Sequence, residues 1–200
     1  MASARAAGIG RFDFLRNVLD YDKGLIRYCC MKRIVLIRHA KSSWSDPDQE
    51  DIARPLNQRG RLSAALMAAQ IVELDAVPEA VWLSPAARTV ETWERMKPIL
   101  GEVEAETHKA LYMADPDTML KILQSTSPKA KTVAIVGHQP GVSAFARKLS
   151  DGKIGPTCAR AFTHFPTAGL AILSTQEEKW SKVTFKSCRF EHFSVPKDLV

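Results

Sequence analysis

The sequence predicts an α/β fold, a three-layer sandwich with a mainly parallel central sheet. From residue 31 onward, short apolar runs rich in β-branched residues alternate with amphipathic stretches of helical length. Such runs are typical of strands that are buried on both faces, and their alternation with helices favours a parallel sheet covered on both sides. The 200 residues, 46% of them hydrophobic, suffice for one core. We therefore expect a single domain over residues 31–200.

The apolar runs and the 3.6-residue periodicity set the expected elements. Strands are predicted at 33–37, 81–83, 104–111, 132–136, 168–174 and 182–187. Helices are predicted at 57–74, 87–100, from Pro116, and at 141–150, with Asn57 opening the first and Asp115 capping the third. The side chains expected to form the apolar stripe of the first helix are Leu62, Ala65, Leu66, Ala69 and Val72.

Residues 1–30 are interpreted as an N-terminal extension outside the fold. They lack the apolar stretch of a secretory signal, and their three aspartates argue against a mitochondrial transit peptide. The stretch MKRIVLIRHA, from Met31, is typical of a protein that begins with its first strand. We therefore expect 1–30 to be an appended or misassigned start.

Charge and cysteine usage exclude several classes of protein. The net charge is +6, which suggests an acidic partner, but no Lys/Arg block exceeds two residues, so nucleic acid is not expected. No apolar run is long enough to span a membrane, and no membrane partner is expected. The four cysteines lack CxxC spacing and the five histidines are scattered, so we expect reduced thiols, a cytoplasmic protein and no metal site.

Three predicted strands end in residues that suit phosphate chemistry. The first ends in Arg38-His39, the second leads through Ser84 to Arg88, and the fourth ends in Gly137-His138. Ligands of open α/β sheets bind beyond the carboxyl ends of the strands, so these side chains are expected to converge. Each feature alone is as well explained by a turn or a solvated helix residue. Their joint placement at successive strand ends is what predicts a functional site.

The residue types in this set fit phosphoryl transfer. Arginine supplies paired charge-assisted bonds to a tetrahedral anion, and a histidine nitrogen can accept a phosphoryl group and return it to water. Because the transferring group carries its charge on its equatorial oxygens, positioning and electrostatic stabilisation provide most of the catalysis. A second, protonated histidine would act as a further donor.

The motifs LIRHAKSSW, LSPAARTVET and IVGHQPG resemble the three signature motifs of the histidine phosphatase superfamily (branch 1). The resemblance is closest to its small phosphohistidine phosphatases, the SixA group, and extends through RPLNQRG, HFPTAGLAIL and FSVPKDLV, so it covers nearly all of 31–200. It implies a phosphoglycerate mutase-like fold and a phosphatase without cofactor or metal. It also implies that His39 is the nucleophile, that Arg38 and Arg88 clamp phosphate, and that His138 stabilises the transferring group. Ala40 departs from the glycine that most of the superfamily carries there.

Two further residues are candidate phosphate contacts by position. Ser42 follows the first motif, although a loop serine that caps a turn is an equally good interpretation. Arg54 is the other candidate, and a structural salt bridge with Asp51 is its alternative. Asp51 either makes that bridge or lines the mouth of the pocket.

The substrate is inferred from a missing acid. Many relatives that act on sugar phosphates carry a carboxylic acid after the third strand, which protonates the leaving alkoxide. That stretch here, LYMADPD, has no glutamate, and Asp115 is better explained as a helix cap. Imidazole leaves more easily, which favours a protein-borne phosphohistidine, as on a phosphotransfer domain. The alternatives are a small-molecule phosphomonoesterase of the same superfamily and a catalytically silent phosphate-binding module. The sequence does not indicate the oligomeric state.

Overall fold

The protein is built on one mixed six-stranded sheet. The computed structural model describes residues 31–200. The strands are β1 (Lys32–Arg38), β2 (Ala80–Leu83), β3 (Ala105–Thr107), β4 (Thr132–Gly137), β5 (Leu170–Thr175) and β6 (Arg189–Ser194). Their order is β3-β2-β4-β1-β5-β6; the β3–β2, β2–β4 and β4–β1 pairs are parallel, whereas β5 is antiparallel to both of its neighbours. The predicted α/β class with a mainly parallel sheet is confirmed.

Five α-helices accompany the sheet in residues 31–200. They are α1 (Gln58–Glu73), α2 (Ala87–Leu100), α3 (Pro116–Gln124), α4 (Gly141–Leu149) and the short α5 (Pro156–Ala159). The predicted caps are present, since the Asn57 side chain accepts from the Gly60 amide and the Asp115 side chain accepts from two amides of the first turn of α3. The bounds of α1, α2 and α4 lie within one residue of the predicted ones, and α3 begins at Pro116 as predicted.

The three layers follow from the alternation of side chains along β1. Ile34 and Leu36 point into one core, where Phe145 of α4 is fully buried. Val35 and Ile37 point into the other, with Met67 of α1. Since successive side chains of a strand face opposite sides of the sheet, both faces of β1 are covered by helices.

One edge of the sheet collects the chain segments that later form cavities. The parallel strands β1, β2 and β4 end there, with Arg38 opposite Gly137 in register. Because β5 is antiparallel to β1, it begins at this edge, and because β6 is antiparallel to β5, it ends there. The segments that precede β5 and follow β6 therefore lie beside the carboxyl end of β1.

The predicted apolar stripe of α1 is wrong. Leu62 is 68% exposed and Val72 47% exposed, and none of the five stripe residues is buried. The buried side of the helix consists of Gly60, Ala64, Met67, Ala68, Gln70 and Ile71. The two sets are offset around the helix axis, and the sheet side carries small residues because α1 packs closely on α2.

The predicted strand at 182–187 is also wrong. Residues Trp180–Lys182 form a 3-10 turn, and Ser187 turns back to donate to the carbonyl of Thr184. Lys186 has a φ of 62°, which is incompatible with an extended strand. The last strand therefore begins only at Arg189, after this turn.

The prediction that residues 1–30 form an extension lies outside the described residues, as do Cys29 and Cys30. Cys158 and Cys188 are buried and free of disulfides. Among residues 31–200, no helix is both long and apolar enough to cross a membrane.

Candidate active site

A cavity of about 320 Å³ opens at the carboxyl ends of β1 and β4. It brings together five of the six predicted site residues, namely Arg38, His39, Ser42, Arg88 and His138. The rest of its lining consists of Lys41, Trp44, Asp51, Met113, Gln139 and Thr167. The convergence expected from the strand ends is therefore present in the structure.

His39 is fixed by its backbone and by its ring. Its amide donates to the Gly137 carbonyl and its own carbonyl accepts from the Ala168 amide, which ties it to both neighbouring segments. Its ring Nδ1 lies 2.8 Å from the Ala40 carbonyl oxygen. Because a carbonyl can only accept, Nδ1 carries the proton in the neutral ring, and Nε2 keeps its lone pair.

The electrostatic environment keeps the His39 ring neutral. Burial, reinforced by the positive charges of Arg88 and Arg38, lowers its pKa to about 4. The hydrogen bond to Ala40 and the charge of Asp51 act in the opposite direction but do not offset this effect. At neutral pH, His39 therefore presents an unprotonated nitrogen beside two cations.

His138 lies next to His39, with the two ring centroids 5.2 Å apart. Its Nε2 is 2.6 Å from the hydroxyl oxygen of Ser84, and its Nδ1 is 3.4 Å from Nη2 of Arg88. A guanidinium can only donate, so Nδ1 accepts and Nε2–H donates to Ser84. Burial, followed by the charges of His39 and Arg88, lowers the pKa of His138 to about 3.

Asp51 orients Arg88 through two hydrogen bonds from the guanidinium group. Arg88 lies in the first turn of α2 and is 5% exposed. Its guanidinium donates to the Asp51 carbonyl oxygen and, over 2.9 Å, to Oδ2 of the same residue. The Tyr112 hydroxyl donates to that Oδ2 over 2.7 Å, and this hydrogen bond is the main cause of the lowered pKa of Asp51. Asp51 therefore stays ionised and orients the arginine.

Arg38 has fewer partners. Its Nη1 donates to the Phe165 carbonyl oxygen over 2.8 Å, and its buried Nε has no partner among the described residues. Burial lowers the pKa of the guanidinium, which nevertheless remains a cation at physiological pH. Arg38 therefore retains donors that can turn toward an anion in the cavity.

Thr92 links the two motifs that carry these arginines. Its hydroxyl oxygen accepts from the Ala40 amide over 2.9 Å and donates to the Arg88 carbonyl oxygen. Thr92 is fully buried. The loop after His39 is thereby fastened to the first turns of α2.

Ser42 and Arg54 have different positions. Ser42 lines the cavity and is 9% exposed, and its backbone forms an isolated bridge with Leu56. Arg54 is buried outside the cavity lining, where it donates to the carbonyl oxygens of Asp46 and Pro47 and lies 4.3 Å from the Trp44 ring. It holds the loop that follows the first motif and makes no ion pair with Asp51, whose partner is Arg88.

Two residues that support the site were not predicted from the sequence. Tyr112 and Thr92 became significant only through their contacts with Asp51 and Arg88. The spacing of Thr92 four residues after Arg88, on one helix face, was the available signal. Asp115 is used as a cap, with its carboxylate bonded to Thr118 and the Asp117 amide, and it does not line the cavity.

Among residues 31–200, no group of three or more His, Cys, Asp or Glu side chains is arranged to hold a metal ion. The charged groups around the cavity are those of Arg38, Lys41, Arg88 and Asp51. This lining suits an anion rather than a cation.

The fold and this cavity define an α/β protein in which two histidines and two arginines meet at the carboxyl ends of the central strands. Residues 34–112 match the model of the histidine phosphatase superfamily (branch 1), and the chain belongs to that superfamily. An uncharacterised protein of Mycobacterium leprae is 33% identical over 80% of this chain and the whole of its own length.

Solved structures agree with this assignment. A candidate phosphohistidine phosphatase SixA from Nakamurella multipartitia superposes with a TM-score of 0.73 at 24% identity, covering 83% of this chain and 96% of that one. A second SixA candidate, from Agrobacterium tumefaciens, has a TM-score of 0.68 and 26% identity over 82% of this chain and 98% of its own. The chain is thus SixA-like within its superfamily, with a phosphoglycerate mutase-like fold, and is a phosphatase by class.

Proposed function

We propose that the protein hydrolyses phosphohistidine on another protein, through a phosphohistidine intermediate on its own His39. The observation that carries this proposal is the state of the His39 ring. Its Nδ1 is held by the Ala40 carbonyl and its pKa is about 4, so Nε2 is unprotonated at neutral pH. An imidazole in this state, in a cavity that is also lined by Arg38 and Arg88, is suited to attack a phosphoryl group.

The first step transfers the phosphoryl group to the enzyme. The lone pair of His39 Nε2 attacks phosphorus, and the P–N bond to the substrate imidazole breaks with its electron pair going to the departing nitrogen. The other ring nitrogen of the substrate carries a proton, so the leaving group is a neutral imidazole. Arg38 and Arg88 bind the equatorial oxygens and neutralise their charge. Both guanidinium groups are positioned before substrate arrives, through the Phe165 carbonyl and Asp51 respectively.

The second step returns the phosphoryl group to water. A water molecule attacks phosphorus, the P–Nε2 bond breaks, its electron pair returns to His39, and the water proton leaves with inorganic phosphate or solvent. His138 contributes a donor in both steps. The negative charge of a bound phosphoryl group favours the protonated ring, so Nδ1 of His138 can take up a proton from the phosphoryl group or from solvent while Nε2–H still donates to Ser84.

The absence of a proton donor supports phosphohistidine over an alkyl phosphate. Among the described residues that line the cavity, the only carboxylate is Asp51, which is ionised and bonded to Arg88 and Tyr112. The same hydrogen bond raises the pKa of Tyr112, which makes it a weaker acid. An alkoxide leaving group would therefore depart unassisted, whereas a neutral imidazole needs no such help.

A substrate panel with phosphoenzyme trapping tests the proposal. We expect a phosphohistidine-bearing phosphotransfer domain to be dephosphorylated faster than sugar phosphates, with equal rates in the presence and absence of EDTA. A labelled, acid-labile phosphoenzyme should form and should be lost in His39→Ala. Efficient hydrolysis of a sugar phosphate with no activity on phosphohistidine would identify a small-molecule phosphatase instead. Phosphate binding without a phosphoenzyme or turnover would identify a silent binding module.

A further inference from the structure

A second cavity, of about 460 Å³, adjoins the catalytic one. The two share Lys41 and Thr167 in their linings. The second cavity is bounded by the segment before β5, the segment after β6 and the first turns of α1, all at the same edge of the sheet. The wall between the cavities is the segment 164–167, whose Phe165 carbonyl holds Arg38 on the catalytic side.

The second cavity leads on to a third, of about 210 Å³. These two share Arg59, Ser63, Pro196 and Lys197. The third cavity adds Leu62 and Leu66, the outward side chains of α1, and Leu62 is 68% exposed. The second and third cavities together, called the basic groove below, thus extend the catalytic pocket along the surface.

The groove has a surplus of positive charge. Its cationic side chains are Lys41, Arg59, Arg160 and Lys197. Its carboxylate side chain, Asp198, is bonded to Arg160 and to the Val195 amide. Within residues 31–200, no carboxylate lies within ion-pair distance of Lys41, Arg59 or Lys197. Among the side chains of residues 31–200 that line it, the groove therefore has three positive charges without an ion-pair partner, over an apolar floor that includes Pro166 and Phe193.

We propose that the basic groove binds an acidic, leucine-containing segment of the phosphorylated protein while its phosphohistidine occupies the catalytic cavity. This inference rests on the proposed function and specifies the partner. The charge surplus favours carboxylates, and the apolar floor with Leu62 and Leu66 favours an apolar side chain beside them. Three consecutive cavities fit an extended or helical polypeptide better than a compact metabolite, which would fill only one.

A pair of synthetic peptides, each phosphorylated on a central histidine, tests the proposal. One carries Asp, Glu and Leu beside the histidine, and the other carries Lys, Gln and Ala at the same positions. We expect the acidic peptide to have a KM at least about tenfold lower, with the advantage shrinking as salt is raised. 4-Nitrophenyl phosphate, which is too small to reach the groove, reports the chemistry of the catalytic cavity alone.

Charge reversal in the groove should remove this preference. In the double variant Arg59→Glu, Lys197→Glu we expect KM for the acidic peptide to rise about tenfold, with kcat and the rate on 4-nitrophenyl phosphate unchanged. Lys179→Glu is the matched control, because Lys179 is exposed and follows the end of β5 at the opposite edge of the sheet. Leu62→Ser should raise KM only for the leucine-containing peptide.

The outcomes separate the two proposals. Equal KM values for both peptides, or a double variant that behaves like Lys179→Glu, would overturn the docking proposal and leave the phosphohistidine activity standing. Hydrolysis of 4-nitrophenyl phosphate with neither peptide cleaved would overturn both. If the double variant slows hydrolysis of a sugar bisphosphate but of neither peptide, the groove is a small-molecule subsite and the docking proposal is wrong.

Discussion

The catalytic cavity and the basic groove lie on the same edge of one sheet, yet their cations are held in opposite ways. Arg88 is 5% exposed and is bonded to Asp51, and Arg38 is anchored to the Phe165 carbonyl. Arg59 and Lys197 are exposed and have no ion-pair partner within 31–200. The pocket is preorganised, as a transition state requires, whereas the groove keeps its side chains adaptable, as recognition of a variable partner requires.

The largest expected effect is the loss of the nucleophile. We expect His39→Ala to reduce phosphatase activity by at least about 10³-fold, because no other described histidine in the cavity has an unprotonated nitrogen free of a side-chain partner. The measurement is steady-state hydrolysis of 4-nitrophenyl phosphate with circular dichroism to verify folding. His108→Ala, outside the cavity, should retain full activity, and comparable losses in both variants would contradict the assignment.

The two buried arginines, Arg88 and Arg54, should respond differently to the same substitution. Arg88→Gln removes a phosphate donor and should lower kcat by about 10²-fold or more. Arg54→Gln should leave kcat within about twofold and lower the melting temperature, because Arg54 holds the carbonyls of Asp46 and Pro47. The measurements are kcat and the melting temperature of both variants. A large kcat effect in Arg54→Gln would place that residue on the phosphate after all.

One close backbone approach near the pocket is at Gly60. A Cβ there would lie 2.2 Å from the Lys41 carbonyl oxygen, so Gly60→Ala must displace the loop between the pocket and the groove. We expect a loss of about 2 kcal/mol in the free energy of unfolding, measured in urea. At Gly155, which has a φ of −66°, the nearest atom would be 4.0 Å away, so Gly155→Ala should change stability by less than about 0.5 kcal/mol. Equal effects would show that the loop adapts freely.

Substitutions in the hydrogen-bonded chain from Tyr112 through Asp51 to Arg88 should have a smaller effect on catalysis. Tyr112→Phe removes one hydrogen bond from Asp51 and leaves its ion pair with Arg88, so we expect kcat/KM to fall about three- to tenfold. Asp51→Asn should cost more, since the guanidinium loses its charged partner. Wild-type kinetics in both variants would show that the arginine is oriented by other contacts.

The smallest effect is an absence of titration. His39 and His138, with pKa values of about 4 and 3, should stay about nine-tenths or more unprotonated between pH 7 and pH 5. The unfolded chain, whose histidines titrate near 6.5, takes up protons over this range, so stability falls as pH decreases. NMR titration of the histidine ring signals, assigned with His39→Ala, measures this. A midpoint near 6.5 for His39 would contradict the buried, neutral ring.

Strand ends were predictable from sequence because a short buried strand is fixed by its own residues. β1 and β4 are continuous apolar runs, so Arg38, His39 and His138 could be placed at their carboxyl ends. Sheet topology then brings these ends together, by a rule that does not depend on side-chain detail. The catalytic cavity was therefore foreseeable from local sequence.

Features decided by partners elsewhere in the chain were not foreseeable. On α1, Leu62 and Val72 fit a helical stripe as well as Met67 and Ile71 do, and only packing against α2 selects between them. At 182–187, the turn depends on the backbone of Lys186 and on the contact between Ser187 and Thr184. The sequence allowed an ion pair between Asp51 and Arg54, but in the structure Asp51 pairs with Arg88.

The two backbone hydrogen bonds of His39 have a consequence for the timescale of motion at this residue. Its amide is bonded to Gly137 of the central strand β4, and its carbonyl to Ala168 just before β5. Exposure of that amide to solvent requires at least that the carboxyl end of the β1–β4 pair opens, in the middle of the sheet. Hydrogen exchange at the His39 amide should therefore be slower than at exposed loop amides such as that of Asp48, so that the proposed nucleophile moves with the central strands rather than with the loop that follows it.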